Sequence, residues 1–186
     1  ELALERAPQN ALAQCESPIE RLFLMALWAN GGWTNRVELY PDMKLSDLNW
    51  MASQDFFGSI YASPQVEIGQ YRVDFMLVAA RSDNEPYAYV AVECDGHDFH
   101  EKTKEQAARD KARDRDLMAR GIVVFRFTGS EIWKDAGSCA REVISFLEAE
   151  WVESTHRRAD RIVKEFGSAE AYRDHVRKQM LAGGSK

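Results

Sequence analysis

Hydrophobic residues recur along the chain in two patterns: nearly continuous runs, typical of buried strands, and a spacing of three to four residues, typical of helices. Two nearly continuous apolar runs, 71–80 and 87–95, are rich in the β-branched and aromatic residues that favour buried strands. A polar segment, 81–86, rich in turn-forming residues, separates them, and a Gly69-Gln70 turn precedes the first run. The pattern predicts three consecutive strands over 65–68, 71–80 and 87–95.

Helical patterns flank these strands. Ser17-Pro18 combines a capping residue with proline at the first helical position, so a helix is expected from there to about Ala29. A highly charged helix is predicted over about 102–120, ended by Gly121 and followed by a strand over 122–128. A helix of this length between two strands predicts that they lie parallel, with a right-handed connection. The expected apolar face of the first helix comprises Ile19, Leu22, Phe23, Ala26 and Leu27.

This order of elements predicts an α/β fold: a mixed β-sheet with an α-β-β-β-α-β core, flanked by helices on both faces. Residues 1–15 are expected to be a loose lead-in and residues 16–135 the core. Residues 136–186 are expected to form a C-terminal helical extension that packs on the core, with helices over about 136–166 and 169–181. Residues 33–63 lack a clear period and predict one short helix and loops.

Composition limits the classes of function. With 186 residues, 45% hydrophobic and 29% charged, the chain has the make-up of a soluble globular domain. No apolar run approaches the roughly 20 residues that span a membrane, and three dispersed cysteines suit a reducing cytoplasm. The net charge of −6 does not indicate a nucleic-acid binder, although 101–120 and 151–186 are locally basic. Because the chain begins at Glu1, we expect it to be a piece of a longer protein with other domains.

Three carboxylates stand out against the apolar hairpin. Asp74 interrupts the first run, and Glu93 and Asp95 end the second. If the strands pair antiparallel about the middle of the 81–86 turn, Asp74 lies opposite Glu93, and Asp95 shares their face because side chains alternate along a strand. Opposed like charges are destabilising, so a divalent cation is the simplest reason for the arrangement. Cys94 should then face the other way, into the core.

Three short stretches carry a resemblance to a known family: SPIERL at 17–22, DGHDFH at 95–100 and DKARDRDLMARGIVVFRF at 110–127. Together with Asp74 and Glu93-x-Asp95, they resemble the PD-(D/E)xK nuclease superfamily, and within it the very-short-patch-repair-endonuclease-like branch. The likeness covers roughly residues 15–135. It implies a restriction-endonuclease-like fold and an endonuclease that hydrolyses phosphodiester bonds of DNA with Mg²⁺ or Mn²⁺.

The resemblance also implies roles for individual residues. Asp74 and Glu93 correspond to metal ligands, and Glu20 to a helix-borne carboxylate near the metal. Asp95 stands where the superfamily name expects lysine; the repair-like branch has no lysine there either, and we include Asp95 among the candidate catalytic and metal-binding carboxylates. His100 corresponds to a histidine that contributes to catalysis, where it could transfer a proton or hold a phosphate.

Each assignment has a simpler alternative. Asp74 could pair with Arg72 or Arg126, and Glu20 could only complete a capping box. Asp110, Arg113, Asp114 and Leu117 share one helix face, for which we favour a structural network, and the basic residues of the tail are most simply a solvated face. Lys102 or Lys104 could supply the charge of the displaced lysine. For the whole chain, the alternative is a catalytically inactive nuclease-fold module that binds DNA or another protein.

Overall fold

The structure is a computed structural model that describes residues 2–31, 37–53, 59–80, 86–96 and 104–183. The chain divides into two compact units, Glu1–Glu148 and Ala149–Lys186. The helices are α1 (Leu2–Gln14), α2 (Pro18–Asn30), α3 (Leu45–Ser53), α4 (Lys104–Ala119), α5 (Gly129–Phe166) and α6 (Ala169–Gly183). The strands are β1 (Val37–Leu39), β2 (Ile60–Ile68), β3 (Tyr71–Ala80), β4 (Pro86–Asp95) and β5 (Ile122–Thr128).

The five strands form one mixed sheet in the order β1-β2-β3-β4-β5. β2 and β4 both run antiparallel to β3, as expected of strands joined by short turns. β4 and β5 are parallel, as predicted from the helix that connects them, and β1 is parallel to β2. The α/β sheet flanked by helices is therefore confirmed.

Each face of the sheet carries its own hydrophobic core. On one face, α1, α2 and the first part of α5 cover Phe75, Val92 and Phe127, and the ring of Phe23 lies 5.4 Å from that of Phe75. On the other face, α3 and α4 cover a second cluster that includes Met76 and Leu117. Alternate side chains of β3 and β4 enter opposite cores, which explains why both strands are apolar almost throughout.

The N-terminal part of the chain differs from the sequence prediction in four places. Strand β2 begins at Ile60 rather than at residue 65, and this first residue is buried in the first core. Residues 2–14 form α1 rather than a loose lead-in, because Ala11 and Cys15 are buried in the first core. The short strand β1 was not predicted, since three residues are too few to display an alternating pattern. The buried face of α2 includes Leu24, which the predicted face omitted, whereas Leu22 is 37% exposed.

The second unit consists of the C-terminal half of α5 and the whole of α6. The ring of Phe166 contacts those of Tyr172 and His175, at 5.2 and 5.1 Å between centroids. In the first unit, the core on the α5 side continues to Leu147, beyond the predicted boundary at residue 135, and the docking of the whole extension stays a prediction. None of the helices described is both long and apolar enough to span a bilayer.

Helix α4 packs against the sheet through Leu117. This orientation can be tested with a pair of substitutions. Leu117 is fully buried, whereas the adjacent Met118 is 65% exposed. We expect Leu117→Ala to lower the free energy of unfolding by about 2–5 kcal/mol, the cost of a cavity in a packed core. Met118→Ala is the matched control and should change it by less than about 0.5 kcal/mol. Urea unfolding of both variants measures the difference, and equal effects would contradict the helix orientation.

Candidate functional site

The register of β3 and β4 brings Asp74 and Glu93 to the same place in the sheet. The described pairing of the two strands ends at Phe75–Val92, and Asp74 and Glu93 are the next residue on each strand. Side-chain alternation breaks at Asp74, because Val73 lies in the second core and Phe75 in the first. The two carboxyl groups are close enough for the charge of Asp74 to raise the pKa of Glu93, whereas their direct opposition across the hairpin stays a prediction.

A backbone hydrogen bond fixes Asp74 in this position. The Cys94 N–H donates to Asp74 Oδ2 at 2.7 Å. Cys94 itself is 9% exposed and packs in the core on the opposite face, as predicted. The alternative partners proposed for Asp74 are engaged elsewhere: Arg72 pairs with Glu16, and Arg126 pairs with acidic residues of α4 and β4.

Glu93 is a buried carboxylate, 6% exposed, that pairs with an arginine from α4. Arg113 Nη2 donates to Glu93 Oε1, and also to the backbone carbonyl of Arg72 at 2.7 Å. The guanidinium lies 5.9 Å from the centre of the Tyr71 ring. Helix α4 thus delivers a positive charge directly to the candidate site.

A second arginine, from β5, holds Asp95 and Asp114. Arg126 donates from Nη2 and Nε to the two carboxylate oxygens of Asp114, at 2.7 and 3.3 Å, and its Nη1 lies 3.5 Å from Asp95 Oδ2. A forked pair of this kind is among the stronger ionic contacts in proteins. The structural network predicted for the polar face of α4 is confirmed for Asp114, whereas Arg113 reaches the site itself.

Glu20 serves both as a cap and as part of the site. Its Oε1 accepts from the Ser17 hydroxyl at 2.6 Å, and its Oε2 accepts from the Glu16 N–H at 2.9 Å. Oε2 also accepts from Gln65 Nε2 at 2.9 Å, although Gln65 lies 45 residues away in β2. Glu20 is 5% exposed, and its charge contributes to raising the pKa of Asp74.

Burial and repulsion by neighbouring carboxylates raise the pKa of both central carboxyl groups. For Asp74, desolvation raises the pKa most, the Cys94 N–H lowers it, and the charge of Glu20 raises it further. For Glu93, desolvation and then the charge of Asp74 raise the pKa to about 7, against the lowering effect of Arg113 and Arg126. The positive charges of Arg113 and Arg126 therefore do not fully offset the negative charge of the carboxylates.

Asp74 and Glu93 are the two central candidates for holding a divalent cation. Within the part of the chain that the structure describes, no group of three or more His, Cys, Asp or Glu side chains is arranged to hold a metal. Mg²⁺ needs only one or two carboxylates when water and a substrate phosphate supply its other ligands. Asp74 and Glu93 could supply these two, although Glu93 already pairs with Arg113, as Asp95 does with Arg126 and Glu20 with Gln65. The metal site of four carboxylates stays a prediction.

The predicted catalytic residue His100 lies outside the described residues, and so does Lys102. Lys104 is the first residue of α4, but its side chain is not among those described. The catalytic role of His100 and the charge-supplying role of the lysines stay predictions.

Gln65 is a site residue that sequence reasoning missed. It has a backbone φ of 54°, a left-handed conformation rare for a residue other than glycine. Its Oε1 is buried and lacks a hydrogen-bond partner among the described residues. A cavity of about 410 Å³ adjoins it, also lined by Glu16, Lys44 and Glu67. No local pattern marks such a residue, because its importance arises from the contact with Glu20.

Comparison with known proteins agrees with this geometry at the level of the fold. Residues 58–147, just under half of the chain, match the model of a restriction-endonuclease-like family, REase_MTES_1575. The match begins just before β2 and ends within α5, so it contains Asp74, Glu93, Arg113 and Arg126. Searches of curated proteins and of solved structures found no significant match. Residues 58–147 are thus similar to a restriction-endonuclease-like family, which supports a domain of the nuclease type, and the narrower likeness to the repair-like branch stays a prediction.

The raised pKa of Glu93 makes a prediction about pH and stability. A carboxyl group whose pKa is about 7 in the folded state, against 4.5 ordinarily, favours folding below pH 4.5. That contribution is lost as the pH rises through about 7, since the unfolded chain then ionises more readily than the folded one. In EDTA, we expect the free energy of unfolding to fall between pH 5 and pH 8 by on the order of 2 kcal/mol more than in Glu93→Gln.

Urea unfolding of the two proteins at both pH values measures this difference. Asp74 acts in the same direction, because its pKa is also raised. Identical pH dependence in the wild type and Glu93→Gln would show that burial does not perturb Glu93.

Proposed function

We propose that this restriction-endonuclease-like domain is a metal-dependent DNA endonuclease that hydrolyses phosphodiester bonds. The observation that supports the proposal is the hydrogen bond from the Cys94 N–H to Asp74, which holds this carboxylate near the buried Glu93 in two strands that are otherwise almost all apolar. Such a concentration of charge lowers the stability of the fold, and a cost of this kind is expected where the charges serve a function. Perturbed carboxyl groups at one position, in a domain of nuclease type, favour a catalytic task over a structural one.

The chemistry assigns separate roles to the residues. Mg²⁺ or Mn²⁺ at Asp74 and Glu93 would lower the pKa of a water molecule and offset the charge of the phosphate. The Cys94 N–H orients the Asp74 carboxylate, and Glu20 adds negative charge beside it. Asp95, paired with Arg126, supports the site from the adjacent strand position. His100 is proposed to transfer a proton or to hold a phosphate.

DNA is the proposed partner, and the cytoplasm the proposed location. A phosphate backbone requires positive charge nearby, which Arg113 and Arg126 supply around the carboxylates. The exposed arginines of the second unit are candidates for further backbone contacts. Three free cysteines are consistent with a reducing compartment.

One observation favours a second candidate function, a nuclease-fold module that binds DNA or protein without cutting. Arginines already pair with Glu93 and Asp95, so part of the negative charge is neutralised without a metal. Asp95 also occupies the position at which the superfamily name places a lysine. A binding module would shift DNA in EDTA and would not cut DNA in the presence of any divalent metal.

Substitution of Asp74 tests the catalytic proposal. Asp74→Asn keeps an oxygen that can accept from the Cys94 N–H but removes the charge that would bind the cation. We expect cleavage of plasmid DNA in Mg²⁺ or Mn²⁺ to fall by at least about 100-fold, the scale of losing one electrostatic contact to the transition state. The matched control is Asp116→Asn, on the exposed side of α4, where Asp116 pairs only with Arg120 among the contacts described.

The control should retain cleavage within about twofold, because an exposed ion pair contributes little. Equal cleavage by the wild type and Asp74→Asn would refute the assigned site. Absence of cleavage by the wild type in every divalent metal, with DNA binding retained in EDTA, would establish the binding module instead.

A further inference from the structure

Arg113 has an unusual set of contacts for an arginine in an ion pair. Its Nη2 serves both Glu93 Oε1 and the Arg72 carbonyl oxygen, and its side chain is only 20% exposed. Its Nε is buried and has no hydrogen-bond partner among the described residues. A buried donor without a partner costs about 1–3 kcal/mol, more when charged, so this guanidinium is not fully satisfied where it lies.

Arg113 and a divalent cation compete for the same group. Glu93 Oε1 accepts from Arg113, and an oxygen so engaged offers less electron density and less space to a metal. A cation at Asp74 and Glu93 would also repel the guanidinium beside it. Arg113 must therefore release Glu93 when the cation binds it, and the cation must leave before Arg113 can pair with Glu93 again.

Arg126 is placed differently and does not face this conflict. Both oxygens of Asp114 bind it in a fork, and its other described ion pair is with Asp95. It can keep these contacts whatever occupies Glu93. The two arginines around the carboxylates therefore differ in kind: Arg126 is fixed, and Arg113 is exchangeable.

We propose that Arg113 is an exchange residue, which neutralises Glu93 in the metal-free protein and is released to the substrate phosphate when a divalent cation takes Glu93. The Arg72 carbonyl and the Tyr71 ring do not compete with a metal, and they keep the released guanidinium beside the site. There it supplies the positive charge that Asp95 cannot supply at the position where the superfamily has lysine. The inference rests on the proposed nuclease function and specifies how its site is assembled.

Calorimetric titration with Mn²⁺ in the absence of DNA, at pH 8.5, tests the exchange without relying on activity. Arg113→Gln removes the competing charge, and we expect Mn²⁺ to bind about tenfold more tightly than to the wild type, a change of about 1.4 kcal/mol. At saturating Mn²⁺, the same variant should cut DNA at least about tenfold more slowly, because the phosphate has lost its guanidinium. Arg120→Gln is the matched control: Arg120 directly follows the last residue of α4 and forms an exposed pair with Asp116, so both quantities should stay within about twofold.

Tighter metal binding together with slower cleavage supports the exchange, since an arginine that only braced α4 would give neither tighter binding nor a selective loss of cleavage. Mn²⁺ affinity that is unchanged or weaker in a folded Arg113→Gln overturns it. If circular dichroism shows that Arg113→Gln does not fold, Arg113→Met decides: methionine keeps a long unbranched side chain but carries no charge, so Mn²⁺ should still bind more tightly than to the wild type, and equal or weaker binding overturns the exchange. If the wild type binds Mn²⁺ and cuts DNA but the Arg113 variants bind Mn²⁺ no more tightly than the wild type, only this inference is refuted. If the wild type neither binds Mn²⁺ nor cuts DNA, the proposed function is refuted as well.

Discussion

The register between β3 and β4 is the constraint on which the site depends. A slip of one residue would move Asp74 and every other side chain of β3 to the opposite face of the sheet. The apolar neighbours prevent it, because Phe75 and Leu77 fill one core while Met76 and Val78 fill the other. Each such side chain contributes about 1.5–3 kcal/mol by burial. In general, two carboxylates about 5 Å apart, the spacing of opposed residues on neighbouring strands, repel by roughly 3 kcal/mol at an effective dielectric constant of 20, which is less than the burial of four such side chains contributes.

The parts of the fold that the sequence predicted are those in which local pattern and tertiary packing agree. The hairpin and the α4–β5 crossover combine long apolar strands with clear stop signals, and Gly121 ends the helix region with a φ of 78°. The parts it missed lack such agreement. Helix α1 contains Pro8, a residue that is unfavourable inside a helix, so its helical state depends on burying Ala11 against the sheet.

The same distinction holds within the site. Asp74 and Glu93 could be predicted because they interrupt apolar strands and because hairpin pairing is a local rule. Their partners could not: Arg113 lies 20 residues from Glu93, and Gln65 lies 45 residues from Glu20. Helix periodicity showed that Arg113 and Leu117 share a face, but not which strand residue that face would meet. Such contacts depend on how α4 docks, which no short window of sequence contains.

The docking of α4 also explains why one helix can carry both a structural network and an exchangeable charge. Leu117 is fully buried in the second core, and Arg113, one helical turn before it, faces the same side of the helix. Asp114 adjoins that face and anchors the helix to β5 through Arg126, so the backbone beneath Arg113 is held from both ends of the turn. With the backbone fixed, movement is left to the guanidinium alone. A charge that moves by side-chain rotation can respond to the occupant of Glu93 without disturbing the sheet that holds the carboxylates in place.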